Sequence, residues 1–592
     1  MKKVHFSKSY LFLASAALGL AIGVQQTNAA TTTTDPTMPI QILGFNDFHG
    51  YLNTTGKAAL PTGTVNNAGT GALLAGYFDK YTADFKAKNP TGTTLKVESG
   101  DMIGASPADS ALLNDIPTYQ MLNAMGINVG TLGNHNFDQG LGHDNQLFLG
   151  KIPAGSSKTV QSYAAKYSQA QRAGNFKLVI GNVVDKTTGK VPYGYQPYTV
   201  QTVTDGQGHT GKIGFIGVLT TDTQFSVLPQ NVSSYKFLDP ATVIAKYSKA
   251  LQAQGVKAIV VLAHTGSDET TKNGVDGESA NIISKLNKID PSNSVDAYMA
   301  GHSHTYTNGV IGKTRVVQAL SYGKAFDDVT GTYDFTTNDF TATPAATIVP
   351  VDPAKGVKPD AKVAKIVAAA DKVTGPVVNT VIGHAATAGN MSRTPNSLGE
   401  SGLGDLITKA DLTMANKAGL AADFALTNDG GIRTDLVVGP KNTITWGAVE
   451  AVQPFGNVMQ VVKMTGSQIQ KVLNQQTFGT QATGGKAFFL QAAGLKYSVV
   501  RNPNKADKAH PYLVSKMTKQ DGTPIAAKQT YKVVINNYLY EGGDGFTGFE
   551  NLPLTGAMDT DTNTFVSYIQ SLQKAGQTIL APNLGLKTLV NN

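Results

Sequence analysis

Five short apolar runs in the first half of the chain each end in a polar cluster, and this pattern constrains the fold more than any other feature. Ile40–Leu43 leads to Asn46-Asp47-Phe48-His49-Gly50, Leu95–Val97 to Gly100-Asp101, and Val129–Leu132 to Gly133-Asn134-His135. Ala258–Ala263 leads to His264, and Ala297–Ala300 to Gly301-His302-Ser303-His304. Helical stretches lie between these runs, so they are expected to be strands of an α/β domain. Catalytic and ligand-binding groups in open α/β sheets gather where strands end, and five such ends predict one shared site.

The residue types in the clusters point to metal chemistry. Two divalent cations about 3.5–4 Å apart need a bridging carboxylate and a shell of neutral nitrogen and oxygen ligands. Asp47, His49, Asp101, Asn134, His264, His302 and His304 supply enough donors for two open sites sharing one aspartate. A His-x-His pair on a strand end puts both imidazoles on one face, within reach of neighbouring ions. Each fragment alone is ordinary: Asp-x-His is a common turn, and a single histidine is usually a packed or surface residue. The combination is not ordinary, because five of the chain's ten histidines fall in these five clusters. His5, His143, His209, His384 and His510 have no such setting and are assigned no role.

Length and composition narrow the class. At roughly 150 residues per domain, 592 residues allow about four domains, or two large α/β units. Charged residues are 15% of the chain, and 63 glycines accompany them, which suits a loop-rich globular protein. The formal net charge is +8, or +5 once Lys2, Lys3 and Lys8 of the leader are discounted. This mild excess is spread along the chain, which argues against a nucleic-acid polymer as partner and leaves weak attraction to an anionic cell surface. Residues 1–30 combine three lysines, an uncharged apolar stretch from Tyr10 to Val24 and Thr27-Asn28-Ala29-Ala30, the plan of a secretory signal peptide. The alternative is an N-terminal membrane anchor, for which the apolar run falls short of the roughly 20 residues that span a bilayer. An exported bacterial protein, secreted or cell-wall associated, is expected, with no stable membrane span once the signal is removed. The absence of cysteine excludes disulfides, thiolate catalysis and cysteine-type zinc sites. Leu552-Pro553-Leu554-Thr555-Gly556 matches a cell-wall sorting signal, but an apolar span and basic tail do not follow, so it reads as a turn.

A break follows the fifth cluster. Residues 350–360 are rich in Pro, Lys and Asp, and Asp360–Val373 reads as a helix joining two domains. The second half mixes short strands and helices, with Gly-rich turns at Asn428–Arg433, Pro454–Asn457 and Gly542–Phe546. The chain has five arginines, Arg172, Arg315, Arg393, Arg433 and Arg501; planar guanidiniums suit phosphate or carboxylate recognition. On composition alone Phe455 and Tyr538 would be packing residues.

Taken together, Asn-Asp-x-His-Gly, Gly-Asp-x-x-Gly-x-Ser (Gly100–Ser106), Gly-Asn-His-x-Phe-Asp (Gly133–Asp138), a strand-end histidine and Gly-His-Ser-His resemble the calcineurin-like metallophosphoesterases. Within them, the chain is similar to the secreted bacterial 5′-nucleotidases. Asn428-Asp429-Gly430-Gly431-Ile432-Arg433, Pro454-Phe455-Gly456-Asn457 and Gly542-Gly543-Asp544-Gly545-Phe546 resemble the nucleotide-binding motifs of that family's C-terminal domain. The resemblance implies an α/β protein: a four-layer α/β/β/α metallophosphoesterase sandwich over residues 38–352, a linker with a helix over 353–378, and an α/β substrate-binding domain over 379–590.

By the same resemblance, Asp47, His49, Asp101 and His304 would hold one divalent metal, such as zinc, manganese or cobalt, and Asp101, Asn134, His264 and His302 a second. His135, oriented by Asp138, would act on the transition state or protonate the leaving oxygen; otherwise the pair is a hydrogen bond within a loop. Arg393, Asn428, Arg433, Phe455, Asn457, Tyr538 and Asp544 would bind the nucleotide, with Phe455 and Tyr538 sandwiching the base and Asp544 accepting from ribose hydroxyls. The family commonly has Phe where this chain has Tyr538, and often Glu where it has Asn136. The implied activity is release of phosphate from nucleoside 5′-monophosphates. The alternatives are a 2′,3′-cyclic-nucleotide phosphodiesterase or nucleotide-sugar pyrophosphatase using the same metals, and a surface-binding protein that has lost catalysis.

Overall fold

Each of the five apolar runs forms a strand: β1 (Thr37–Phe45), β2 (Thr93–Glu98), β3 (Val129–Thr131), β4 (Ile259–His264) and β5 (Val295–Met299). The structure, a computed structural model, describes residues 36–153, 156, 158–167, 174–227, 229–271, 274–478, 487–507 and 510–590. The expected signal peptide, residues 1–30, lies outside the described residues, as does Arg172.

Two mixed sheets carry these strands. In the first, β1, β2, β3 and Lys177–Val179 run parallel, and Ala325–Asp334 pairs antiparallel with β1. In the second, β4 lies between β5 and Thr210–Leu219, parallel to both, and Thr314–Ala319 continues the parallel run beyond β5. The two-residue period of a strand lets both faces be buried against different layers. Ile40 and Ile42 of β1 pack toward the second sheet with Val260 and Leu262 of β4, whereas Leu43 and Phe45 pack on helices Gly71–Lys88 and Ile116–Met125. Ile259, Val261 and Ala263 face helices Pro240–Gln252 and Gly277–Ile289 on the far side. The result is a four-layer α/β/β/α sandwich, and burying each of its large side chains contributes roughly 1.5–3 kcal/mol. All five strands point their C-terminal ends to one edge.

The joining helix spans Ala361–Val378, five residues beyond the expected end, and Asp360 caps it by accepting from the Lys362 and Val363 N–H groups. Pro376 sits in its last turn, where it removes a single N–H and the helix closes two residues later. Val363, Val367 and Ala370 bury against the first sheet's helical layer.

The second half builds a five-stranded sheet in the order Leu490–Ala493, Phe424–Asn428, Thr530–Asn536, Val458–Thr465, Leu554–Thr560. Helix Gly402–Lys417 covers one face through Ala415 and Leu412, against Ala425, Val461 and Val534, and Gly466–Leu473 covers the other through Ile469, Val472 and Leu473. Leu403, Leu406, Phe565 and Ile569 join helices Gly402–Lys417 and Asp561–Lys574 in a separate cluster. A three-stranded sheet, Tyr512–Lys519, Leu495–Arg501 and Lys587–Val590, completes this half. Among the described residues, no strand of one half pairs with a strand of the other. One expectation is corrected here. The stretch from Leu552 to Gly556 is not a turn: Leu554–Thr560 is an edge strand on Val458–Thr465. An edge position tolerates the preceding proline, and register shifts in the pairing accommodate the glycine.

Candidate active site

The chain turns sharply after the strands to aim its polar side chains at one another. Asp47 (φ 51°), His49 (φ 49°), Asp101 (φ 54°), His302 (φ 77°) and His304 (φ 60°) all adopt left-handed backbone. Such conformations cost on the order of 1–3 kcal/mol each and persist where the surroundings over-determine them. Two glycines of the motifs are required by close approach. A Cβ on Gly133 would lie 2.1 Å from Asp101 Oδ1, and one on Gly100 (φ 90°) would lie 2.6 Å from His264 Nδ1.

The seven strand-end residues converge as two overlapping groups. In the first, His304 Nε2 lies 3.2 Å from Asp47 Oδ1 and 3.3 Å from His49 Nε2, and His49 Nε2 lies 3.8 Å from Asp47 Oδ1. In the second, His264 Nε2 lies 2.9 Å from Asp101 Oδ2 and 3.2 Å from Asn134 Oδ1, which lies 2.9 Å from His302 Nδ1. Asp101 stands between the groups, its Oδ2 also 3.7 Å from His49 Nε2. Donor atoms of Asp47, His49 and His304, and separately of Asp101, His264 and His302, all lie within 4.8 Å of one another, a spacing suited to holding a cation.

Hydrogen bonds behind the rings fix their orientation. His49 Nδ1 donates to the Gly104 carbonyl at 2.8 Å and His264 Nδ1 to that of Ser99 at 3.0 Å, so both Nε2 atoms face the cluster. Asp47 is held by the His302 N–H at 2.9 Å and by Asn46 Nδ2 at 2.6 Å. Burial pulls His49 and His304 well below the usual imidazole range, which keeps them neutral. Burial also pulls on His264, but the Asp101 and Asp47 carboxylates outweigh it and raise that ring to about 9. Against the burial that would raise it, Asp101 is held well below the usual carboxylate range by His264, His135 and His49.

His135 links this cluster to the second half. Its N–H donates to Asp101 Oδ1 at 2.8 Å, and its Nδ1 lies 2.8 Å from Asp138 Oδ2. Its ring stacks on Phe455 with centroids 5.7 Å apart and planes 16° apart. Both rings line an open cleft of about 1190 Å³. From the first half come Ser106, Asn134 and Asp138; from the second come Asn428, Arg433, Phe455, Asn457, Tyr538 and Asp544. The Arg433 guanidinium lies 5.7 Å from the Phe455 ring centroid. Asn428 Nδ2 and the Tyr538 hydroxyl each donate to the Asp544 carboxylate at 2.8 Å, and Asn457 Nδ2 donates to Asp561 at 3.1 Å. Arg393 is the exception: it is exposed, donates to the Ile432 carbonyl at 2.6 Å and is not part of the cleft lining.

The family model for the 5′-nucleotidase C-terminal domain matches residues 381–551. Over 600 aligned residues the chain is 43% identical to cell wall protein Lmo0130 of Listeria monocytogenes, covering 98% of this chain and 73% of that one. The chain belongs to the 5′-nucleotidase family. It is also 32% identical to endonuclease YhcR of Bacillus subtilis, across 95% of this chain but 42% of that protein's length. The crystal structure of a 5′-nucleotidase precursor from Thermus thermophilus superposes with a TM-score of 0.70 at 24% identity, covering 94% of this chain and 100% of that one, which supports the shared fold. Among the described residues of this 5′-nucleotidase-family chain, no helix is long and apolar enough to cross a membrane.

Sequence reading missed several residues of this nucleotidase-family site. His143, given no role, lines the cleft, and burial lowers it to about 4. It lies eight positions after His135 on helix Leu141–Phe148, so proximity to the Gly-Asn-His motif was the available signal. Tyr51 and Tyr322 stack at 3.9 Å beside the cluster, with the Tyr322 ring 5.2 Å from that of His304 and Lys324 Nζ 5.0 Å from the Tyr322 centroid. Nothing in their spacing marks them; the fold brings them together.

Proposed function

We propose that this protein is an exported, metal-dependent phosphohydrolase that releases phosphate from nucleoside 5′-monophosphates. The observation that carries the reading is the position of His135, whose backbone binds the shared carboxylate of the metal-binding cluster while its ring stacks on Phe455 of the recognition half. One residue thereby joins the chemistry to the substrate cleft.

The donor set fits two divalent ions. Imidazoles, two buried aspartates and an amide oxygen are what such ions take, His264 giving up its proton as an ion binds, and His49 and His304 nitrogens 3.3 Å apart favour a cation between them. Asp47, His49, Asp101 and His304 would hold one ion, and Asp101, Asn134, His264 and His302 the other. When bound, the ions supply a nucleophilic hydroxide near neutral pH and neutralise charge building on phosphorus. The chain's own residues do the rest. Asp138 fixes His135 Nδ1, which leaves Nε2 as the position that donates a proton to the leaving oxygen. Phe455 and Tyr538 stack the base, Asp544 and Asn428 meet the ribose, and Arg433, with Arg393 at the rim, attracts the phosphate. The proposed domain limits are 38–352 and 379–590 about the joining helix, a division supported by sheets that, among the described residues, pair strands only within each half.

The test is phosphate release by purified mature protein from a panel of nucleoside 5′-monophosphates, a 2′,3′-cyclic nucleotide, a nucleotide sugar and a nucleic acid, with and without added divalent ions. The nucleic acid is included because one relative bears the name endonuclease. Metal-dependent release from the monophosphates supports the reading. Preference for another member of the panel would replace it, and no hydrolysis of any member would favour a surface-binding protein. Fractionation of intact cells tests export and wall association, which the Listeria relative's name suggests.

A further inference from the structure

We propose that the Tyr538 hydroxyl is a positioning and specificity-determining group that locks Asp544 for recognition of a ribose diol, a role separate from stacking by its ring. The proposal rests on the nucleotide reading above. Three contacts carry it. The Tyr538 hydroxyl donates to Asp544 Oδ1 at 2.8 Å, and the Asp544 N–H donates back to the Tyr538 hydroxyl oxygen at 3.0 Å. Asn428 Nδ2 donates to the other carboxylate oxygen, Oδ2, at 2.8 Å. Tyr538 therefore closes a ring around Asp544, gripping it through both backbone and side chain.

The grip is needed because Asp544 is strained. Its φ is 54°, inside the short turn Gly543–Gly545, and a left-handed aspartate persists only where neighbours hold it. The turn also wraps the tyrosine edge: a Cβ on Gly543 would lie 2.4 Å from Tyr538 Cε1, so this position is closed to any side chain. First burial and then the Asp544 charge raise the phenol well above its usual range, so the hydroxyl keeps its proton and remains a donor.

The geometry has a chemical consequence. A carboxylate offers about four lone-pair sites. Tyr538 and Asn428 occupy one on each oxygen, which leaves one on each for a pair of donors arriving from the cleft that Asp544 lines. Two adjacent hydroxyls on a ribose match two such acceptors; a 2′-deoxyribose matches one. A phenylalanine would preserve the ring face and lose the lock.

The test compares AMP with 2′-deoxy-AMP in the metal-loaded wild type and in Tyr538→Phe. The wild type should prefer AMP, and the variant should lose about tenfold of that preference, the scale of one hydrogen bond to a charged group. The loss should appear in KM for AMP more than in kcat. Amide exchange across Gly542–Phe546 should quicken in the variant, a readout independent of activity. Thermal melting and Tyr538→His, which restores a ring donor, guard against misfolding, and the histidine variant should recover part of the preference. Unchanged AMP preference in a folded Tyr538→Phe enzyme would overturn the lock while leaving the nucleotidase reading intact. A wild type indifferent to the 2′-hydroxyl, yet active on AMP, would overturn the ribose role of Asp544 and this proposal with it. No AMP hydrolysis by the wild type would overturn both readings.

Discussion

The two halves of the cleft are built differently. On the first-half side, five of the seven clustered metal-binding candidates sit in left-handed backbone, and their side chains crowd at 2.9–3.8 Å with few donors between them. On the second-half side, of the recognition candidates only Asp544 has left-handed backbone, and Asn428 and Tyr538 each hold one of its carboxylate oxygens. On the proposed reading, the first surface would be completed by cations and the second by a neutral ring and its hydroxyls. Catalytic power should therefore reside in the first and selectivity in the second.

The largest expected effect comes from the shared carboxylate. Asp101→Asn keeps a residue tolerant of left-handed backbone and should lose metal from both groups, with no detectable hydrolysis. Metal content measured by elemental analysis against His510→Ala, an exposed histidine paired with Asp507, decides the point. Equal content would break the assignment of Asp101 as a bridge.

Next in size is His135. If it acts on the transition state, His135→Ala should lower kcat by roughly 10²–10⁴-fold with metal stoichiometry retained. A parallel fall in metal content would make it a ligand instead, and His49, Asp101 and His135 do lie close enough to form a third candidate group. Smaller again is the recognition surface. Phe455→Ala should raise KM for AMP about 5- to 150-fold while changing KM for a simple activated phosphate ester far less, the scale of losing one stacked ring. Equal changes for both substrates would reduce Phe455 to a packing partner of His135.

The smallest effect sharpens the contrast in stability. Asp405, buried beside Glu400, is raised to about 8 first by burial and then by Glu400. A folded value above the unfolded ~3.9 means its contribution is fully present below pH 4 and is lost as pH rises through about 8. Asp405→Asn should match the wild type in melting temperature near pH 4 and exceed it by a few degrees above pH 8. Parallel curves across that window would show that Asp405 is solvated after all.

Much of the first half was legible because its chemistry uses rare residues at fixed places. Histidine is scarce in this chain, and strand ends are visible as apolar runs that stop. The recognition half uses residue types that cores also use, so Phe455 and Tyr538 were distinguishable from packing only by family resemblance. Leu554–Thr560 escaped because Pro and Gly mark turns locally, whereas pairing with Val458–Thr465 is decided by tertiary contact. Tyr322 and Lys324 escaped for the same reason: their neighbours are set by the fold rather than by spacing. Arg393, expected with the nucleotide-binding set, donates to the Ile432 carbonyl, and its charge acts on His304 and Lys324 beside the cluster.

The pairing of β1 sets the order in which the molecule can assemble. β1 is flanked by β2 on one side and by Ala325–Asp334 on the other, with Thr37 opposite Asp334. His49 and His304 are likewise 255 positions apart. A ribosome or a translocation channel must therefore deliver more than half of the polypeptide before the first strand gains its second neighbour. Contacts this remote in sequence slow folding, because loop entropy must be lost before they form. Until residue 304 has emerged the cluster cannot close, so any ions that this cluster takes would bind late, in whichever compartment the finished sheet first appears.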